Sequence, residues 1–171
     1  MAELTQQERL QPSLLDRLTD KDPAKTQESR NDRILSIREL RAIVLRDLAW
    51  LFSCTNLASS VDLEAFPEVE RSVLNYGLPD LSGQSVDSLK AGMLERMLDQ
   101  AIRNFEPRIL PKTLKVRLLP ADPDRGGNSL AFEIDGDMWA QPLPQHLYLE
   151  TKLDLEVSQA EISERGQSGS I

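Results

Sequence analysis

Paired carboxylates are the one enzymatic option that the composition leaves open, and Glu106, Glu133, Asp135 and Asp137 are the candidates for it. Glycosidases use two such groups, one held protonated and one ionised, so the surroundings must push their pKa values apart. Glu133 and Asp135 are two residues apart in a stretch of alternating polarity. They therefore share the wet face of a strand, where no burial raises a carboxyl pKa. A solvated face is the expectation, with a lysozyme-like glycan hydrolase as the alternative.

Other chemistry finds even less support. His146 is the single histidine and sits between prolines and the start of a strand, with no acid–base motif around it. Cys54 is the single cysteine and falls in an amphipathic helical pattern, where cysteine behaves as a small hydrophobe. One His and one Cys do not make the usual zinc ligand set. Gly126-Gly127 is too short for a phosphate loop and is followed by neither helix nor lysine. No catalytic, cofactor-binding or metal-binding residue is assigned.

Phe105-Glu106-Pro107-Arg108-Ile109 is the informative constellation. Charged residues alternate with bulky apolar ones where a helix breaks, and Pro107 fixes the direction in which Glu106 and Arg108 leave the core. One reading is a helix stop with an incidental surface ion pair. The other is a protein-binding hot spot built on the bidentate guanidinium of Arg108. Spacing alone does not choose between them.

The elements that must position this motif can be read from periodicity. Leu14, Leu15 and Leu18 mark a short amphipathic helix within Gln11 to Thr19, followed by a linker from Asp20 to Asp32 with almost no large apolar side chain. Ser36 and Glu39 form a capping box, with Leu35 and Leu40 at the staple positions, so a helix begins at Ile37 and runs to about Thr55. Ile37, Leu40, Val44, Leu48 and Leu51 form its apolar stripe, and Trp50, Phe52 and Cys54 are placed in the core. From Ala58 to Gly83 an ordered loop with a short helix is expected, anchored by Val69, Val73, Leu74 and Tyr76.

Ser85 caps a second long helix whose rows Leu89-Met93-Met97 and Leu94-Leu98-Ile102 give a broad apolar stripe. It must end near Phe105, because Pro107 disfavours helical geometry at Glu106. The period then changes to two: Leu114 to Leu118, Leu130 to Asp135 and Leu147 to Val157 read as three strands, the first two joined as a hairpin through the turn formers of Asp122 to Asn128. The fold class is α+β, with helices packed on one face of a small, mainly antiparallel three-stranded sheet. The long third strand is placed at an edge, open to a strand from another chain. The organisation is a helix and arm over 1–32, an α+β domain over 33–157 and a flexible tail over 158–171.

The chain of 171 residues suits one domain and carries 28 acidic against 20 basic residues, a net charge of -8. Such a charge repels phosphate backbones and anionic lipid, which speaks against nucleic acid as a partner. A lone cysteine fits a reducing compartment. Met1 to Leu10 lacks the basic start and apolar run of a secretory signal, and no segment has the roughly 18 apolar residues of a membrane span. No direct membrane insertion and a cytoplasmic location are the expectations.

Three segments resemble the TssE family of type VI secretion baseplate proteins, itself similar to a small wedge protein of contractile-tailed phages. They are Ser36-Ile37-Arg38-Glu39-Leu40-Arg41 leading to Arg46-Asp47-Leu48, then Ser72-Val73-Leu74-Asn75-Tyr76-Gly77-Leu78-Pro79-Asp80-Leu81, then Phe105-Glu106-Pro107-Arg108-Ile109. The resemblance implies a non-catalytic subunit of the baseplate wedge, assembled at the inner face of the cell envelope with TssF-like and TssG-like neighbours. TssK-like subunits and TssB/TssC-like sheath proteins extend the implied partner set. The family's Glu-Pro-Arg motif, which supports the wedge contact, falls on Glu106, Pro107 and Arg108. Its sheet looks like the strand-exchanging domain of the sheath. That implies a template role for the third strand, through Leu147, Leu149, Thr151 and Leu153. A soluble adaptor on a related fold remains a further alternative.

Overall fold

The computed structural model describes residues 13–19, 24, 35–82, 91–120, 129–140, 143–157 and 159–164. Its elements run α1 (Leu14–Leu18), α2 (Ile37–Ser53), α3 (Pro67–Glu70), α4 (Ala91–Phe105), β1 (Lys115–Leu118), β2 (Ser129–Met138), β3 (Gln145–Asp154) and β4 (Gln159–Glu164). The expected cap at Ser85, the contribution of Leu89 and the turn at 122–128 lie outside the described residues.

α2 starts where its capping box predicts. The Ser36 hydroxyl accepts the Glu39 amide at 3.2 Å, and the Glu39 carboxylate accepts the Ser36 amide at 2.9 Å, satisfying two amides that the first turn would otherwise orphan. Leu35 and Leu40 are both buried, as a staple requires. The buried stripe is Leu40, Ile43, Val44, Leu48, Leu51 and Phe52. Trp50 and Cys54 are exposed, not in the core as expected. Trp50 is two residues from Leu48 and so lies on the opposite side of the helix, on the row of Arg46, whose guanidinium sits 4.7 Å from the ring centroid.

In α4 only the row Leu94-Leu98-Ile102, with Ala101, is buried. Met93 is exposed and Met97 half-buried, so the stripe is narrower than the sequence suggests. The helix stops as expected. The Glu106 amide still donates to the Ile102 carbonyl at 2.8 Å, and Pro107, having no amide hydrogen, cannot continue the ladder.

The sheet has four antiparallel strands in the order β1-β2-β3-β4, not three. β4 forms inside the segment expected to be a flexible tail. Its Ala160 and Ile162 are half-buried against the core while Gln159, Glu161 and Ser163 face out, and it pairs with β3 from Leu149↔Glu164 to Asp154↔Gln159. The missed signal is only two apolar residues long, and backbone pairing supplies the rest. β3 therefore is not an edge: β2 pairs with its whole length and β4 with Leu149 to Asp154.

α2 packs against β4 and α4 against β1. Between helices and sheet lies an apolar cluster that includes Leu48, Leu51, Leu98, Ile102, Phe132 and Leu149. Full burial of each such side chain contributes about 1.5–3 kcal/mol. Among the described residues, no helix is long and apolar enough to cross a membrane.

Candidate functional site: the Glu106–Arg108 charge chain

The end of α4 is clamped to the end of β2. The Trp139 amide donates to the Arg108 carbonyl at 2.7 Å, the Leu110 amide donates to the Asp137 carbonyl at 2.8 Å, and Ile109 forms an isolated antiparallel bridge with Met138. Gly136 leaves room for this crossing, because a Cβ there would stand 3.3 Å from the Ile109 side chain. The chain that carries Glu106, Pro107 and Arg108 is thus fixed on both sides.

Glu106 is 3% exposed, which makes it a buried carboxylate, and such a group needs its charge matched. Arg108 matches it: Nε donates to Glu106 Oε1 at 2.6 Å, Nη2 pairs with Oε2, and the Arg108 backbone amide also donates to Oε1, at 3.1 Å. The same Nη2 reaches Asp47 Oδ2 on α2 at 2.6 Å. Asp47 Oδ1 accepts from Arg46 Nε and Nη2 at 2.9 and 2.7 Å, and Arg46 Nη1 donates to Asp16 on α1 at 2.6 Å. Three carboxylates and two guanidiniums therefore alternate in one chain, Glu106–Arg108–Asp47–Arg46–Asp16, which ties α4 to α2 and α2 to α1.

Burial opposes the charge on Arg108, but the hydrogen bonds and charges of Glu106 and Asp47 outweigh it and hold its pKa above the ordinary guanidinium value. The hydrogen bond from Arg46 holds the Asp16 carboxyl below its usual range, against the opposing effect of burial. Tyr76 closes the site from the side. Its hydroxyl donates to the Asp47 carbonyl at 3.3 Å, and its ring meets Phe105 edge-on at 5.3 Å. Burial, with the neighbouring carboxylates of Asp47 and Glu106, pushes its phenol up to about 12, so it stays a donor at neutral pH. All three sequence segments that carry the family resemblance thus meet at one place.

The arrangement corrects one of the two readings of this motif. The Glu106–Arg108 pair is no incidental surface bridge, since Glu106 is buried and Arg108 is only 23% exposed on its side chain. Nor is the guanidinium free: Nε and Nη2 are both engaged within the chain, while Nη1 is buried with no hydrogen-bond partner among the described residues. Pro107 is the exposed member of the motif. Asp16 and the Tyr76 hydroxyl escaped sequence reasoning, because their partners are 30 and 29 residues distant in the chain and no periodicity joins them.

Leu147, Leu149, Thr151 and Leu153 are all buried, on the face of β3 turned toward the core. They lie apart from the charge chain, and β4 must be displaced before another strand can pair with Leu149 to Leu153. The carboxylates weighed for catalysis do not converge. Glu106 is locked by Arg108, whereas Asp135 and Asp137 flank the exposed His146 at 3.4 and 3.2 Å on the sheet surface. Among the described residues, no group of three or more His, Cys, Asp or Glu side chains is placed to hold a metal ion.

The sequence model of the family described as "Baseplate wedge protein gp25" matches residues 38–143, which spans more than half the chain and takes in α2 from its second residue and all of α3, α4, β1 and β2. The chain belongs to that family, which is also the family of the TssE-like proteins. No curated protein and no solved structure matches it.

Proposed function

We propose that this baseplate wedge subunit serves a type VI secretion machine, in which it docks with TssF-like and TssG-like neighbours and helps start the contractile sheath. The single observation that carries the docking half is the convergence of the motif segments on the Glu106–Arg108–Asp47 knot. Pro107 stands exposed between Glu106 and Arg108, backed by their ion pair. The knot makes the shape of the docking surface independent of the partner, so little ordering entropy is lost on binding. No step of this role needs catalysis, and the protein acts in the cytoplasm at the inner face of the cell envelope. TssK-like subunits join the same assembly.

The sheath half concerns TssB/TssC-like proteins and the open edge of the sheet. β1 presents a poor edge, because the amide of Leu118 that points away from β2 is already capped by Glu95 of α4 at 2.9 Å. Among the described residues, the outward edge of β4 is capped at its start, where the Ala160 amide donates to the Ser53 hydroxyl at 3.1 Å. By strand alternation the amide of Ile162 also faces away from β3. An added strand is therefore received at Ile162 to Glu164, while Leu147, Leu149, Thr151 and Leu153 act from the buried face to keep the sheet rigid.

The test is reconstitution with the TssF-like, TssG-like and sheath proteins. Wild type should recover the wedge and seed sheath growth. Arg108→Ala should weaken wedge binding by about 2 kcal/mol or more, and a variant that is folded yet binds in full would remove the motif from the contact. Ile162→Pro deletes an outward amide and leaves the β3 ladder intact, so it should stop sheath initiation while wedge binding persists. Normal sheath growth on that variant would discard the β4 edge.

A further inference from the structure

The segment from Asn56 to Leu78 is a lobe built on hydrogen bonds more than on core. Its two ends are zipped together, with the Asn56 amide on the Leu78 carbonyl and the Leu78 amide on the Cys54 carbonyl, both at 2.8 Å. Asn75 is buried and staples the interior: its side chain accepts the Ala58 amide and donates to the Glu70 carbonyl, both at 2.9 Å. Gly77 has φ 121°, and a Cβ there would lie 2.3 Å from the Cys54 carbonyl oxygen, so only glycine lets the lobe close on α2.

This stiff frame holds large apolar side chains outward. Val73 and Leu74, adjacent on one 3₁₀ turn, are 79% and 68% exposed, and Phe66 and Val61 are 58% and 46% exposed. The turn packs against both α3 and the 3₁₀ turn at Leu57–Ser59, so the lobe is one unit. Isolated exposed hydrophobes are ordinary, but two neighbours at the tip of a stapled turn are not explained by chain statistics. The same lobe carries four exposed carboxylates, Asp62, Glu64, Glu68 and Glu70, against one cation, Arg71. None of the four carboxylates forms an ion pair among the described residues.

We infer that this lobe is a second docking surface, distinct from Pro107, for a protein partner that is apolar at its centre and carries Lys or Arg at its rim. The acidic excess of the lobe selects the sign of the partner, and the exposed pair supplies the apolar anchor. The partner is taken from the wedge reading above: a neighbouring subunit of the baseplate. The internal hydrogen bonds of Asn75 and the fit of Gly77 serve to hold Val73 and Leu74 in a binding-ready arrangement.

The test uses the full chain and the purified TssF-like and TssG-like proteins as the probe. V73D/L74D should bind about tenfold or more weakly, with an unchanged melting temperature because both side chains are exposed. E68K/E70K should also bind more weakly and should flatten the salt dependence. If V73D/L74D binds as wild type does while Arg108→Ala fails, the lobe is no interface and the wedge assignment survives. If wild type itself binds neither protein, both fall together. A wild-type dimer seen by light scattering and abolished by V73D/L74D would replace the proposed partner with a second copy of this chain, and would overturn the inference.

Discussion

α1 and β4 lie near opposite ends of the chain, and they invert what their side chains suggest. α1 has three leucines in five residues and buries none of them; all three are exposed, and its attachment is the Asp16–Arg46 ion pair. β4 offers only Ala160 and Ile162, yet it is joined to β3 across six residue pairs, to α2 through Ser53, and to Arg41 through Glu164. Apolar content stabilises an element only when a matching surface exists. β3 supplies backbone donors and acceptors in register, whereas nothing in the described chain supplies a groove for the leucines of α1.

The largest effect is expected at the buried end of the charge chain whose far end holds α1. Arg108→Ala strands the buried carboxylate of Glu106, and should cost about 3–5 kcal/mol in urea denaturation. The paired variant Glu106→Gln/Arg108→Gln should recover part of that loss, since no buried charge is then unmatched. β4 comes next. Ser163→Pro removes an amide that alternation turns toward β3, and should cost about 1–3 kcal/mol, with faster amide exchange across Leu149 to Asp154. Ile162→Pro should cost less, and an equal loss in the two variants would refute the assigned alternation.

The smallest effects belong to α1. Asp16→Ala should shift global stability by less than about 1 kcal/mol, because exposed or half-exposed ion pairs contribute little. It should nevertheless release the helix, seen as chemical-shift changes at Leu14 to Leu18 alone. Acid should do the same without mutation. The Asp16 carboxyl is held below its ordinary value of 3.8, so its contribution is complete above that pH and is lost as pH falls through the lowered value. Protection of the Thr19 amide, which donates to the Leu15 carbonyl, reports this step. Release of α1 already near neutral pH would show that Asp16 is not what holds it.

Much of the frame was legible because its signals are local. The Ser36–Glu39 box, the row Leu94-Leu98-Ile102 and the stop at Pro107 each involve residues within a turn or two of one another, and all three appear as read. The alternation of Leu130, Phe132 and Ile134 likewise fixed which face of β2 is dry. Errors arose where a pattern needed a partner to give it meaning. Hydrophobicity alone points Trp50 to the core, Met93 to an apolar stripe and Val73 and Leu74 to anchoring positions, and all four are exposed.

Residue type and spacing by themselves determined the α+β class, the start of α2, the stop of α4 and the position of the Glu106-Pro107-Arg108 motif, since each follows from sterics and hydrogen bonding within a few residues. Tertiary structure alone decided that Arg108 turns inward to Asp47, 61 residues away, that β3 is interior, and that β4 lies at an edge of the sheet. Those outcomes depend on which distant surfaces meet. A buried charge finds its counter-charge, and a strand its neighbour, only after the chain has closed around them.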